Sequence, residues 1–87
     1  MGVEALVKKV KPSDVRTELG LTQKELGALS GLSHVTIIRA ESGISIQRLS
    51  AHAIFKALNK ERVAQGLPRL QFDMLDGKFR EAKTTNN

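Results

Sequence analysis

The 87-residue sequence has no cysteine, tryptophan or tyrosine, and it has only three phenylalanines and two histidines. Without cysteine, the chain can form neither a disulfide scaffold nor a thiolate zinc site. Two histidines without a cluster of further ligands do not predict a metal site, so we expect no metal and no cofactor. The shortage of aromatic side chains disfavours stacking of unpaired bases, which argues against proteins that bind RNA loops or single strands.

Long apolar runs are absent as well. No segment approaches the roughly 20 apolar residues that a membrane-spanning helix requires. Residues 3–10 are too short and too rich in lysine to form a secretory signal peptide. The sequence therefore predicts no contact with a membrane and a reduced, cytoplasmic setting.

The residues that are present predict one small domain with a basic surface. A chain of this length buries only about 60–65% of the surface that its unfolded form exposes, which allows a single core. We place the domain at residues 1–76, its core at 13–59 and a disordered tail at 77–87. The net charge of +5 and the sequence pI of about 10.0 suit a polyanionic partner, because each neutralised phosphate releases counterions. Many basic proteins bind no nucleic acid, so the spacing of residues must decide.

Apolar residues recur at helical spacing near the N-terminus: Val3, Leu6, Val7 and Val10. This pattern predicts a short amphipathic helix over residues 3–10, with an extended segment as the alternative. Pro12 ends this piece, because the residue before a proline is pushed out of the α region. A second short helix follows over residues 13–19, with Val15 and Leu19 pointing inward.

Thr22 and Glu25 have the spacing of a capping box. The hydroxyl of Thr22 can accept a hydrogen bond from the backbone N–H of Glu25, and the carboxylate of Glu25 can accept one from the N–H of Thr22. Leu26 and Leu29 then form the inner face of a helix that ends at Gly31. A glycine fits there, since a tight turn between helices commonly needs a positive φ.

The same arrangement repeats after that glycine. Ser33 is expected to cap the next helix, and Leu32 is expected to contact Ile37 across the cap. This helix covers residues 34–42 and ends at Gly43. Two short helices joined by a glycine-containing turn form a helix-turn-helix.

A fourth helix is predicted from residue 45 or 46, with apolar residues at intervals of three and four. These residues are Leu49, Ala53, Ile54 or Phe55, and Leu58. Asn59 is expected to cap its end, and residues 60–65 are expected to add a further turn closed by Gly66. Residues 70–75 suit either a short strand or a helix, because their apolar residues fit both periods.

Residues 19–43 closely resemble the DNA-binding motif of the lambda-repressor and Cro family, also called the xenobiotic-response-element family. The resemblance rests on GLTQKELG at 20–27, GLS at 31–33 and TIIRAESG at 36–43. It implies an all-α fold: a compact bundle of four to five short helices, with the helix-turn-helix at residues 22–42 and a short C-terminal strand or helix. Gly27 falls where the family has alanine or glycine, since two helices cross closely there.

The resemblance implies double-stranded DNA as the partner, with helix 33–42 in the major groove. The implied DNA contacts are Thr22, Gln23, Ser33, His34, Val35, Thr36, Ile38 and Arg39. Arg39 is the expected base reader, because a guanidinium can donate two parallel hydrogen bonds to guanine O6 and N7. The alternative for Arg39 is a phosphate contact or a solvated side chain. His34 suits a phosphate or a purine, but it is also an ordinary exposed helix residue.

For two pairs of these candidate DNA contacts, a structural role is the alternative interpretation. Val35 and Ile38 suit contacts with thymine methyl groups, unless Ile38 belongs to the core. Thr22 and Gln23 lie at a helix N-terminus, where free N–H groups favour a phosphate. Their alternative role is structural, as caps of that helix.

The resemblance also implies a partly buried ion pair between Arg16 and Glu41, which ties the first helix to the recognition helix. Loss of one partner costs about 3–5 kcal/mol where such a pair is fully buried. The chain departs from the family in two places. Its helix before Gly20 is about a turn shorter than usual. The loop at 44–47 lacks the lysine or arginine that relatives place near the DNA backbone, which makes Arg48 the nearest substitute.

Together these features predict a sequence-specific transcriptional regulator, a dimeric repressor on a pseudo-palindromic site. Residues 70–75 are the candidate dimer contact, unless they only cover the chain's own core. The alternative function is an antitoxin-like or anti-repressor module that binds a protein partner through residues 60–87. An enzyme is not expected, because the chain has scattered serines and two histidines with no phosphate loop or paired-carboxylate site.

Overall fold

The structure is a computed structural model that describes residues 9–77 and 79–80, the last two as backbone only. Four helices form most of it: α1 (Pro12–Glu18), α2 (Gln23–Ser30), α3 (His34–Glu41) and α4 (Arg48–Ala64). A 3-10 helix covers Phe72–Met74, and two short strands, β1 (Ile46–Gln47) and β2 (Phe79–Arg80), pair in parallel. The predicted all-α bundle is confirmed, and its C-terminal segment contains both a 3-10 helix and a strand.

The helix α1 lies one residue earlier than the predicted range of 13–19, and α2 begins and ends as the local sequence predicts. Pro12 is at the start of α1, where its missing N–H forfeits no hydrogen bond. At the start of α2, Thr22 Oγ1 accepts the N–H of Glu25 at 3.0 Å, and Glu25 Oε1 accepts the N–H of Thr22 at 2.8 Å. This completes the predicted capping box. Gly31 ends α2 with a φ of 72°, a conformation that glycine adopts without steric penalty.

The third helix begins at the predicted serine cap. Ser33 Oγ accepts the backbone N–H of Thr36 at 3.1 Å, which satisfies one of the free donors of the first turn. The helix ends at Glu41, with Ser42 as its C-cap, and Gly43 follows with a φ of 82°. The predicted range of 34–42 is therefore correct to within one residue.

The core lies between the four helices and β1. Its buried members are Val15, Leu19, Leu26, Ile37, Ile46, Ala51, Ile54, Ala57 and Leu58. Leu26 of α2 and Ile37 of α3 are fully buried, and burial of such a side chain contributes about 1.5–3 kcal/mol. Gly27 permits the close approach, because a Cβ atom there would lie 3.0 Å from the backbone oxygen of Leu32. These contacts hold α3 in a fixed orientation.

The fourth helix differs from the prediction in its start and in its buried face. It begins at Arg48, since residues 46 and 47 form β1, and it continues through the predicted extra turn to Ala64. Leu49 was expected inside but is 73% exposed. The buried face of α4 contains Ala51, Ile54, Ala57, Leu58 and Asn59. Leu29 of α2, also expected inside, is 47% exposed.

Asn59 does not cap α4, contrary to the prediction. It lies within the helix, with 1% of its surface exposed. Its Nδ2 donates to the backbone oxygen of Leu70 at 3.0 Å, and its Oδ1 accepts the N–H of Leu70 at 2.7 Å. Gln65 is the residue that ends α4. The paired hydrogen bonds hold the following segment on the chain's own core, where Leu70 and Phe72 pack and Leu75 is buried.

The predictions for the two ends of the chain fall mostly outside the described residues. Of the helix predicted at 3–10, residues 3–8 lie outside. Val10 forms a β-bridge with Leu75, so the prediction is wrong at that residue. Of the tail predicted at 77–87, residues 78 and 81–87 lie outside, and β2 pairs with β1. The domain boundaries stay a prediction.

Candidate nucleic-acid interface

Most of the candidate DNA contacts lie on the exposed side of α3 and on its cap. Ile37 is buried, which turns this side of the helix away from the core. The exposed candidates are Ser33, His34, Val35, Ile38 and Arg39, and Thr36 is half-buried. Val35 is 56% exposed and Ile38 is 39% exposed, so neither is part of the buried core. This surface is accessible to a large ligand.

Arg39 borders a shallow polar depression of about 180 Å³. The other residues that line it are Thr36, Ser45, Ile46, Gln47 and Ser50. Within residues 9–77, the Arg39 guanidinium forms no hydrogen bond and no ion pair. A guanidinium in this state can donate hydrogen bonds to a base edge, and the neighbouring hydroxyl and amide groups can bind a phosphate oxygen.

The sequence did not indicate three residues of this depression: Ser45, Gln47 and Ser50. The loop at 44–47 has no lysine or arginine, and serine and glutamine are common in any exposed loop. Their position follows from the tertiary structure, because β1 and the start of α4 meet the side of α3. Arg48 was the expected substitute in this loop, but its guanidinium lies over the ring of Phe72, 5.2 Å from the centroid.

The structure brings Arg16 and Glu41 together in a two-point ion pair. Arg16 Nε donates to Glu41 Oε2 at 2.6 Å, and Nη2 donates to Oε1 at 2.9 Å. Arg16 Nη1 also donates to the backbone oxygen of Leu21 at 2.8 Å. The side chains keep 17% and 7% exposure. The pair therefore ties α1 to the end of α3, two residues after Arg39.

Gln23 belongs to the same cluster, which the sequence did not indicate. Its Nε2 donates to Glu41 Oε1 at 2.9 Å, so it links the N-terminus of α2 to the C-terminal end of α3. Thr22 beside it is exposed, and its hydroxyl caps α2. Thr22 and Gln23, two of the candidate DNA contacts, therefore already form hydrogen bonds within the protein. Ser33 and His34 lie at the other end of α3.

The ion pair also affects the pKa of its arginine. The hydrogen bond with Glu41 is the main factor that raises the pKa of Arg16, burial opposes it, and the charge of the carboxylate adds to it. A pKa raised in the folded state means that this stabilisation is complete below the pKa of the unfolded state. The contribution from the titration of Arg16 is lost when the pH rises through the folded value, at extreme alkaline pH.

Comparison with known proteins assigns the family. The helix-turn-helix family model matches residues 13–64, more than half of the chain, and this range contains α2, α3 and α4 completely. The chain belongs to the helix-turn-helix family. The resemblance of the motif to the lambda-repressor and Cro type is thereby confirmed.

One relative of this helix-turn-helix protein comes from Methanothermobacter thermautotrophicus strain Delta H. It is named an uncharacterized HTH-type transcriptional regulator. The two are 45% identical over 49 residues, which are 55% of this chain and 71% of the relative. No solved structure matches the chain. Family and relative together support a role in DNA-binding transcription regulation.

The candidate interface consists of guanidinium, imidazole, hydroxyl, amide and aliphatic groups. Within residues 9–77, no three histidine, aspartate or glutamate side chains are arranged to hold a metal ion. The helices of this part of the chain are all too short or too polar to cross a membrane.

Proposed function

We propose that this helix-turn-helix protein is a sequence-specific repressor that reads the major groove of double-stranded DNA with α3. The observation that carries the proposal is the guanidinium of Arg39, which is unpaired within residues 9–77 and projects from a helix that Ile37 anchors in the core. The major groove is about 12 Å wide and admits a helix, and each base pair presents a distinct pattern of groups there.

Base contacts are assigned to four side chains of α3. Arg39 donates two hydrogen bonds to guanine O6 and N7. Val35 and Ile38 contact thymine methyl groups, which gives a reason for two aliphatic side chains to be exposed on this face. His34, at the N-terminal end of the helix, donates to a purine or a phosphate.

Contacts with the DNA backbone are assigned to residues around the exposed face of α3. They are Thr22, Gln23, Ser33 and Thr36, together with Ser45, Gln47 and Ser50 of the polar depression. Contacts of this kind fix the register of the protein on the duplex without reading sequence. The net charge of +5 adds an attraction that weakens as salt increases.

The repressor acts as a dimer in this proposal. One α3 covers about half a turn of DNA, and two copies related by a two-fold axis bind half-sites about 34–36 Å apart. The candidate dimer segment does not support the dimer, since Leu70 and Phe72 pack on the chain's own core and Leu75 is buried. We infer the dimer from the spacing of the half-sites alone. Repression requires only that the protein occupies the DNA site. We place the protein and its DNA target in the cytoplasm. No catalytic step is part of the proposal.

The test is a binding selection from a random duplex pool with the wild type and with Arg39→Ala. We expect the wild type to recover an inverted repeat that contains an invariant guanine. Arg39→Ala loses the preference at that guanine by about 5- to 150-fold, which is about 1–3 kcal/mol. Arg69→Ala is the matched control, because Arg69 is exposed and lies outside the interface, so it keeps the preference.

Recovery of a single half-site would contradict the dimer and leave the reading helix in place. Weak, salt-sensitive binding to every duplex without enrichment would contradict sequence-specific recognition. That result would favour the second candidate, an antitoxin-like or anti-repressor module that binds a protein through residues 60–87. The observation behind this candidate is that Val63, in the last turn of α4, is 51% exposed.

A further inference from the structure

An open groove of about 700 Å³ lies between α2 and α4. Its aliphatic lining includes Leu29, Leu49, Ala53 and Val63. Leu49 is 73% exposed, Val63 is 51% exposed and Leu29 is 47% exposed, so the three largest of these side chains face solvent. Burial of a leucine side chain is worth about 1.5–3 kcal/mol, so an uncovered surface of this kind favours a binding partner.

Cationic side chains border this apolar lining. They are Lys56, Lys60 and Arg69, all of them exposed. Leu49, Ala53, Lys56, Lys60 and Val63 follow one another along α4 at intervals of three or four residues, which puts them on one face of the helix. Among the described residues that line the groove there is no carboxylate, so the lining is positively charged.

The groove is separate from the candidate DNA interface, because the two share no residue. Nucleic acid is also a poor match for it, since phosphates do not cover aliphatic side chains. A two-fold pairing of two copies through this face would bring the cations of both copies into one interface, where like charges destabilise association. The complementary ligand has an apolar stripe flanked by negative charge.

We propose that the groove between α2 and α4 binds an acidic amphipathic helix of a partner protein. The aliphatic stripe of that helix covers Leu29, Leu49 and Val63, which is the helix-in-groove mode of recognition. Its carboxylates pair with Lys56 and Lys60, and these rim pairs orient the helix and speed association more than they add affinity.

The test uses a synthetic amphipathic helix of about 15 residues, with leucine along one face and glutamate on the other. Its binding to the full chain is followed by fluorescence anisotropy. Lys56→Glu is expected to weaken binding about fivefold, because reversal replaces an attraction by a repulsion. Leu49→Gln is expected to weaken it about tenfold through loss of apolar burial. Both side chains are exposed, so neither substitution disturbs the fold.

Matched controls separate the groove from bulk charge and bulk hydrophobicity. Lys11→Glu removes an exposed cation outside the groove, and Ile44→Gln removes an aliphatic side chain that is 52% exposed outside it. Both should change peptide binding by less than about twofold. Equal losses in the controls would overturn the proposal, and so would equal binding of a peptide with lysine in place of glutamate.

Two further outcomes also overturn it. If sedimentation shows a dimer without DNA that Leu49→Gln converts to a monomer, a second copy covers the groove. If Leu49→Gln weakens binding to the selected duplex, the groove belongs to the DNA interface. The DNA test uses duplexes and Arg39, whereas this test uses a peptide and Leu49, so either proposal can fail alone.

Discussion

The carboxylate of Glu41 receives three donated hydrogen bonds, from Nε and Nη2 of Arg16 and from Nε2 of Gln23. These donors belong to α1 and α2, while the acceptor ends α3. One residue therefore joins α1, α2 and α3. Because Glu41 is the last residue of α3, the orientation of this helix depends on the cluster.

Glu41→Ala is expected to destabilise the protein by about 2–3 kcal/mol, because it leaves a partly buried guanidinium without its partner. This is less than for a fully buried pair, since Arg16 keeps 17% exposure. Chemical denaturation measures the change. Glu18→Ala is the control: its carboxylate is 60% exposed and lies 3.4 Å from Arg62, which keeps its hydrogen bond to the backbone oxygen of Pro68, so the loss stays below about 1 kcal/mol. Equal losses in the two variants would contradict a structural role for the cluster.

At the scale of helices and strands, the distance between α2 and α3 depends on a glycine, Gly27, which has no side chain. A Cβ atom on Gly27 would lie 3.0 Å from the backbone oxygen of Leu32 and 3.6 Å from Ile37 Cγ1. The oxygen belongs to the turn between the helices, so it cannot move without moving the turn. Larger side chains must therefore push α3 away from α2.

Gly27→Val is expected to cost about 2–3 kcal/mol, because overpacking at a tight contact forces backbone shifts. Ala28→Val is the matched control, since Ala28 is exposed and adjacent in the same helix. It should cost less than about 1 kcal/mol, from helix propensity alone. Thermal unfolding compares the two variants, and similar melting temperatures would show that the helices do not pack as closely as described.

The apolar pattern of α4 shows where a sequence pattern is ambiguous. The fourth helix has two overlapping apolar stripes, one with Leu49 and Val63 and one with Ile54 and Leu58. Both have helical spacing, so periodicity predicts a helix without deciding which stripe is buried. The structure buries Ile54 and Leu58 and leaves the other stripe exposed. The N-caps of α2 and α3 were predicted better, because the donors and acceptors of an N-cap are close in sequence.

At the scale of the whole molecule, long-range contacts attach the segment after α4. Asn59 pairs with both backbone groups of Leu70. Val10 bridges to Leu75, with hydrogen bonds of 2.8 Å from Val10 N to Met74 O and from Asp76 N to Val10 O. These contacts bring the start of the described chain next to residues 74–76, and Val10, Leu70 and Phe72 pack against the core.

Asn59→Ala is expected to destabilise this attachment by about 2–4 kcal/mol, because two hydrogen bonds are lost and the backbone groups of Leu70 lose their partner. Hydrogen exchange at Leu70 and Leu75 measures the effect and should speed up more than exchange in α3. Lys60→Ala is the control, since Lys60 is the exposed neighbour in the same helix. Uniform acceleration over the whole chain would mean that the segment does not open separately.

The sequence by itself determined the N-caps of α2 and α3, the glycine turns and the family, because these depend on residues a few positions apart. It also indicated Arg39 as the expected base reader and Arg16 with Glu41 as a pair, through the resemblance of the motif. Only the tertiary structure decided what distant segments do to one another. It brought Gln23 to Glu41, buried Asn59 against Leu70 and left Leu49 exposed, since the packing of one helix face depends on all the others.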